Sequence, residues 1–192
     1  MRYLYIHGAN ATSTSFNYIR GNISGNDIVF DYNSANGFNN NLDIMSEKVK
    51  NIKGLFVVAH SLGGVYALHL ANRFPKNFLG AVTLSTPYCG SSLAEFVRWM
   101  MPHSQLLHDI TPTSKIMQDS MSMPLQHPWT QVVTTRGAAP WLIEANDGVV
   151  TLKSMRARAD MELIDLELNH YEVVMSPKVV ELIRDRSIAW KR

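Results

Sequence analysis

The sequence predicts an α/β fold, a mostly parallel sheet of about six strands with helices on both faces. Three observations predict it. Short β-branched or aromatic runs alternate with helical stretches along the chain. One run, Leu55-Phe56-Val57-Val58-Ala59, is apolar at every position, as expected of a strand buried on both faces of a parallel sheet. The best-punctuated helices lie between or after such runs. At 192 residues the chain suits one well-buried core and is short for two, so a single domain over 1–192 is expected.

Strands are expected at residues 4–6, 28–31, 55–59, 81–84, 131–134 and 163–166, each a short apolar or β-branched run. Helices are expected at 42–50, 63–74 and 177–188. The second ends at Pro75, which cannot continue a helix. The third opens with Ser176-Pro177, a capping residue followed by a proline suited to the first turn. The asparagine-rich stretch 33–41 reads as a turn-forming loop. Residues 91–128 depart from the rhythm and form an insertion with no convincing strand. There Leu93, Phe96, Val97, Met100 and Met101 recur at helical spacing. Five of the ten methionines also fall there: Met100, Met101, Met117, Met121 and Met123. Such a soft surface suits a lid over an apolar groove. A helical excursion packed on the sheet, or a dimer contact, fits the same pattern.

Composition is that of a soluble globular protein, 46% hydrophobic and 18% charged. A net charge of +2 with scattered Lys and Arg argues against a nucleic-acid partner. Only Arg184, Arg186, Lys191 and Arg192 bunch, as the solvated face of a last helix. No run approaches the roughly 18 apolar residues a membrane span needs. The chain starts directly on a short strand rather than a signal peptide, and the single Cys89 forms no internal disulfide. A cytoplasmic protein is therefore expected. No His-Glu-x-x-His, cysteine pair or phosphate-cradling glycine loop is present, and the His103–His108 spacing matches no common zinc site. Neither metal nor cofactor is expected, and the sequence does not set the oligomeric state.

The sharpest local signal is Ala59-His60-Ser61-Leu62-Gly63-Gly64, directly after the buried run and directly before a helix. A serine at such a junction is held on a tight, strained turn with its hydroxyl exposed. Small residues two positions before and after it let strand and helix approach. The helix also aims its positive end at the site, favouring negative charge there.

With these motifs the chain resembles the α/β-hydrolases, and within them small bacterial serine lipases and esterases. The resemblance covers most of the chain and implies a minimal version, opening at the strand that supplies the oxyanion loop and lacking two edge strands placed before it in larger relatives. Ala59 stands where glycine is usual, a replacement known among bacterial lipases. His7-Gly8 ends the first strand where the family carries a His-Gly pair. By position, the backbone N–H groups of Ala9 and Leu62 are then the oxyanion donors. His7 is expected to fix the loop, and His60 to pack or border the substrate. The family order of serine, acid, histidine makes His170, after the last strand, the base. His69 lies inside a helix, and His103, His108 and His127 belong to the insertion. Asp147, in Asn146-Asp147-Gly148-Val149-Val150, is the acid, with Asp165 its rival inside the last strand. Ser85-Thr86-Pro87-Tyr88-Cys89-Gly90-Ser91 resembles a Thr-Pro-x-x-Gly-Ser stretch of lipases and related deacylases, and Asp109-Ile110-Thr111-Pro112 a downstream segment of the same families. Neither supplies catalytic groups.

The resemblance thus implies ester hydrolysis through an acyl-enzyme, with Ser61 as nucleophile, His170 as base and Asp147 orienting it. The partner is a small ester or lipid-like molecule. A thioesterase or other acyl hydrolase on the same residues, and an inactive binding protein of this fold, stay open.

Overall fold

The computed structural model describes residues 1–90 and 104–191. Leu93, Phe96, Val97, Met100, Met101 and His103, like Arg192, lie outside the described residues.

Strands β1 (Arg2–Ile6), β2 (Asn26–Phe30), β3 (Leu55–His60), β4 (Phe78–Leu84), β5 (Trp129–Thr134) and β6 (Glu162–Leu166) form one six-stranded sheet. Its order is β2-β1-β3-β4-β5-β6, and every neighbouring pair is parallel. All six expected strands are present. All of β3 is buried, and alternate side chains go to opposite faces. Val57 and Ala59 join one core with Leu4 and Ile6, while Phe56 and Val58 join the other with Tyr3 and Tyr5. Each fully buried Val, Leu, Ile or Phe contributes about 1.5–3 kcal/mol relative to leaving it exposed. The wholly apolar strand is therefore what holds the layers together.

The described helices are α1 (Asn17–Asn22), α2 (Phe38–Val49), α3 (Leu62–Arg73), α4 (Gln105–Asp109), α5 (Lys115–Ser122), α6 (Leu152–Met155) and α7 (Pro177–Ala189). Helices α2 and α3 cover the first face through Leu42, Met45, Val65 and Leu68. Helices α1 and α7 cover the second through Ile19, Val179 and Ile183. Two faces, each carrying helices, complete the three-layer architecture.

The asparagine-rich stretch is more than a loop. Ser34–Asn36 forms a 3-10 turn and α2 begins at Phe38, a full turn before the expected start. The cause is distant in sequence: the Asp109 carboxylate accepts the Phe38 N–H at 2.7 Å and caps the helix. Asn41 is buried, and its amide donates to the Asn33 carbonyl at 2.9 Å. The described part of the insertion packs as a helical excursion. Met117 is buried in the first core, with Leu106, Ile116 and Met123 against it.

Strand β1 has β2 on one side and β3 on the other. The chain leaves β1 for one edge and returns to β3 on the opposite side, so the loops following β1 and β3 diverge at the carboxyl edge. Open α/β sheets place their crevices at such a reversal.

Candidate active site

Ser61 stands at that point. It follows β3, and its backbone adopts φ 52°, ψ −125°, a left-handed conformation that costs a non-glycine residue about 1–3 kcal/mol. The turn is held by the Ser61 N–H, which donates to the Leu84 carbonyl of β4 at 2.8 Å. Its tightness depends on Gly63. A Cβ built there would lie 2.1 Å from the Ile6 carbonyl oxygen and 2.6 Å from that of His7. Helix α3 can begin this close to β1 only without a side chain. Gly8 is tightly but less severely packed, its Cβ position being 3.1 Å from Ser61 Cβ.

The loop after β1 is shaped by His7. Its Nδ1 donates to the Gly8 carbonyl at 2.7 Å, leaving Nε2 to accept the Tyr32 N–H at 3.2 Å. The ring stacks on Tyr32 at 4.2 Å, and burial holds it below the usual histidine range. A neutral imidazole with both nitrogens engaged thus fixes the loop that carries Ala9 into the site. The N–H of Leu62 is the first of α3 and precedes any intrahelical acceptor.

Asp147 and His170 meet below the same edge. His170 Nδ1 donates to Asp147 Oδ2 at 2.7 Å, and the His170 N–H donates to the Asp147 carbonyl at 3.1 Å. Both residues are buried. The other carboxylate oxygen accepts the N–H groups of Val149 at 3.0 Å and Val150 at 2.8 Å. Thr134 adds its hydroxyl to Oδ2 at 2.5 Å. Burial alone would push the Asp147 carboxyl up. The His170 contact, the Thr134 hydroxyl and the Val150 N–H outweigh it, and the group ionises below the usual carboxylate range. Gly137 makes room for the turn, since its Cβ position lies 2.0 Å from the Asp147 carbonyl carbon. The rival Asp165 points elsewhere and pairs with Arg156 at the surface, 2.5 Å away.

His60 ties the two halves together. Its Nε2–H donates to the His170 carbonyl at 2.9 Å, and the two rings lie 4.8 Å apart. Burial and the neighbouring His170 hold His60 down to about 3, so it stays neutral. Among the described residues its buried Nδ1 has no hydrogen-bond partner.

A cavity of about 800 Å³ opens over these residues, with Ala9, His60, Ser61 and His170 in its wall. Among the described residues its lining includes no Asp, Glu, Lys or Arg. Asn10, Thr14 and Ser15 line it, as do Val149, Val174 and Met175. No described residue of the insertion reaches it. Among the described residues the Ser61 hydroxyl forms no hydrogen bond, so the serine and the imidazole share the cavity wall without closing a contact. Such contacts are often loose before substrate binds.

The two segments flagged as non-catalytic prove to dock on each other. Gly90 adopts φ 81°, and its Cβ position is 2.6 Å from the Ile110 carbonyl oxygen. Sequence reasoning missed Thr134 and Ser85, whose hydroxyl bonds to it at 2.8 Å. It also missed the cavity residues Tyr18, Tyr171, Val174 and Met175. The first two had one usable signal, a hydroxyl side chain at the carboxyl end of a parallel strand.

No protein-family model matches this sequence, and a search of curated proteins by sequence returns no match. Solved structures do match. A lipase of Bacillus licheniformis in its mature form superimposes with a TM-score of 0.81 at 15% identity, covering 97% of this chain and 91% of that one. A metagenomic carboxyl esterase gives 0.74 at 16% identity, covering 98% and 74%. A monoacylglycerol lipase of Paleococcus ferrophilus gives 0.66 at 16% identity, covering 99% and 93%. With its six parallel strands and flanking helices, this chain has the α/β-hydrolase fold, and in that fold it resembles bacterial lipases and esterases.

Proposed function

We propose that the chain is a serine hydrolase that cleaves uncharged carboxylic esters through an acyl-enzyme. One observation carries this. The buried Asp147–His170 hydrogen bond at 2.7 Å ends at the same cavity into which the strained Ser61 turn opens. With Nδ1 engaged by Asp147, the remaining His170 nitrogen, Nε2, is the one available to take the serine proton.

In the proposed reaction Ser61 Oγ attacks the ester carbonyl as His170 takes its proton. The Ala9 and Leu62 N–H groups receive the negative charge on the carbonyl oxygen, and Asp147 stabilises the imidazolium. Collapse breaks the carbon–oxygen bond, and His170 returns the proton to the departing alcohol. Water, losing a proton to the same imidazole, then cleaves the acyl-serine and releases the acid. Among the described residues the lining carries no acidic or basic side chain other than histidine, which favours a neutral substrate. The apolar side chains of Val149, Val174 and Met175 in the cavity wall suit an acyl chain. The lipases and esterases among the structural neighbours agree with this reading.

The test is labelling with a fluorophosphonate. Stoichiometric labelling that disappears in Ser61→Ala supports the proposal, whereas an unlabelled, folded wild type favours a binding protein. Acyl-nitrophenyl esters of increasing length, beside thioesters, then rank ester against thioester cleavage and set the accepted chain length.

A further inference from the structure

Behind the Asp147 carboxylate lie two hydroxyls with no part in the reaction as written above. Thr134 ends β5 and Ser85 follows β4, and both are fully buried. Thr134 Oγ1 lies 2.5 Å from Asp147 Oδ2 and 2.8 Å from Ser85 Oγ. An ionised carboxylate can only accept, so the Thr134 proton points at Asp147 and Ser85 must donate to Thr134. The proton order is thereby fixed, from Ser85 to Thr134 to Asp147. Ser85 holds its place at φ 53°, where an L side chain is strained. Its N–H donates to the Val132 carbonyl at 3.0 Å.

We propose that Ser85 and Thr134 are positioning residues whose hydroxyls draw negative charge from the Asp147 oxygen facing His170 and so set how strongly that oxygen holds the imidazole N–H. This rests on the hydrolytic reading of the site. Thr134 and His170 donate to the same oxygen, Oδ2. Each donor lowers the charge left for the other, and a chain of hydroxyls in a dry interior polarises further in the same sense. Less charge on Oδ2 means less stabilisation of the imidazolium relative to the free base. Asp147 Oδ1 is held separately by the Val149 and Val150 N–H groups. Removing the Thr134 hydroxyl therefore leaves the carboxylate in position and changes the charge on Oδ2.

The other groups facing His170 stand apart from this relay. His60, at the end of β3, is neutral, and the Tyr171 ring lies 5.4 Å away. Glu172, on the same loop, is paired with Arg136 and accepts the Asn169 N–H. The other neighbour of the Thr134 hydroxyl is Met155 Sδ at 3.4 Å, which is uncharged.

The experiment compares wild type, Thr134→Val, Thr134→Ser and Ser85→Ala on a short-chain acyl-nitrophenyl ester across pH 5–9. It is paired with proton NMR of the low-field His170 Nδ1–H resonance. In Thr134→Val the acidic limb of kcat/KM moves up by about 0.5–1 pH unit, so the rate at pH 6 falls roughly three- to tenfold. Above pH 8 it converges on wild type. Ser85→Ala moves the limb the same way by less, and Thr134→Ser restores it. The Nδ1 proton moves downfield in Thr134→Val whether or not the chain cleaves an ester. Equal loss at every pH, or an unmoved limb and resonance, overturns the proposal. A wild type that neither turns over nor takes the fluorophosphonate defeats the hydrolytic reading alone, and the resonance still decides for or against the relay.

Discussion

Gly63→Ala perturbs one of the closest backbone approaches in the site. The added methyl would lie 2.1 Å from the Ile6 carbonyl oxygen and 2.6 Å from that of His7. Ordinary contact between such atoms begins more than about 1 Å further out. Both obstacles are backbone of a central strand and its exit, so neither can swing aside as a side chain could. Either α3 withdraws from β1 or β1 leaves its register with β3. Overpacking of this kind costs about 1–3 kcal/mol. In a chain of this size each kcal/mol lowers Tm by roughly 2–4 °C. The chemical effect is larger. Ser61 and the Leu62 N–H ride on the displaced helix start, and a shift near 1 Å costs on the order of 100-fold in rate. Gly21→Ala is the control. It also adds a methyl to a helix, but nothing lies within 4 Å of it. It should stabilise by about 0.4–1 kcal/mol through the unfolded chain. Thermal melts and fluorophosphonate labelling rates of both variants give the comparison. If Gly63→Ala melts and labels as wild type does, the strand–helix approach is not what shapes the turn.

Three further outcomes follow from the same contacts. Asp109→Ala leaves the buried Phe38 N–H without its 2.7 Å acceptor and α2 without its cap. The expected loss is about 1–3 kcal/mol, read by urea unfolding, and an unchanged midpoint would show the cap to be redundant. Burial holds His60 down to about 3 in the folded chain, against 6.5 for an ordinary exposed histidine, so between those values only the unfolded chain takes the proton. Stability should therefore fall as pH drops below 6.5, by up to about 1.4 kcal/mol per pH unit from this residue. His60→Gln, whose amide can still donate to the His170 carbonyl, should flatten that slope, and equal slopes from pH 6 to 4 would contradict the burial argument. Asp147→Asn should lower the labelling rate by several orders of magnitude near neutral pH, because an amide favours the wrong imidazole tautomer. A rate within tenfold of wild type would move the acid's role to another residue.

How much of this was legible in the sequence differs by residue. The central strand was, because burial on both faces calls for an unbroken apolar run such as Leu55 to Ala59, whereas β6, with no buried residue, showed only as a short run in the alternating rhythm. The Ser61 turn was legible for a related reason. Strand, small residue, serine and glycine follow one another locally, so nothing distant is needed to recognise the junction. Asp147 and His170 required the order of a resembling family, since 23 residues separate partners that meet only after folding. The start of α2 was not legible, because its cap comes from 71 residues away and asparagines read locally as turn formers. Thr134 and Ser85 were hidden differently. A hydroxyl ending a strand can be satisfied in many ways, and only the fold shows that these two point in sequence at a carboxylate.

The same contrast explains how structures at 15–16% identity superimpose so closely. Most of the sheet needs only apolar side chains of suitable volume, and these interchange at modest cost. Far less tolerant is a small set of close approaches, among them Gly63 against Ile6 and Gly137 against Asp147. Each lies where a strand end meets the loop carrying a candidate site residue. The hydrogen bond from His60 to the His170 carbonyl then registers the β3 side of the site against the loop after β6. A site held by backbone contacts of this kind depends little on the identity of most side chains around it, which suits a fold shared at such low identity.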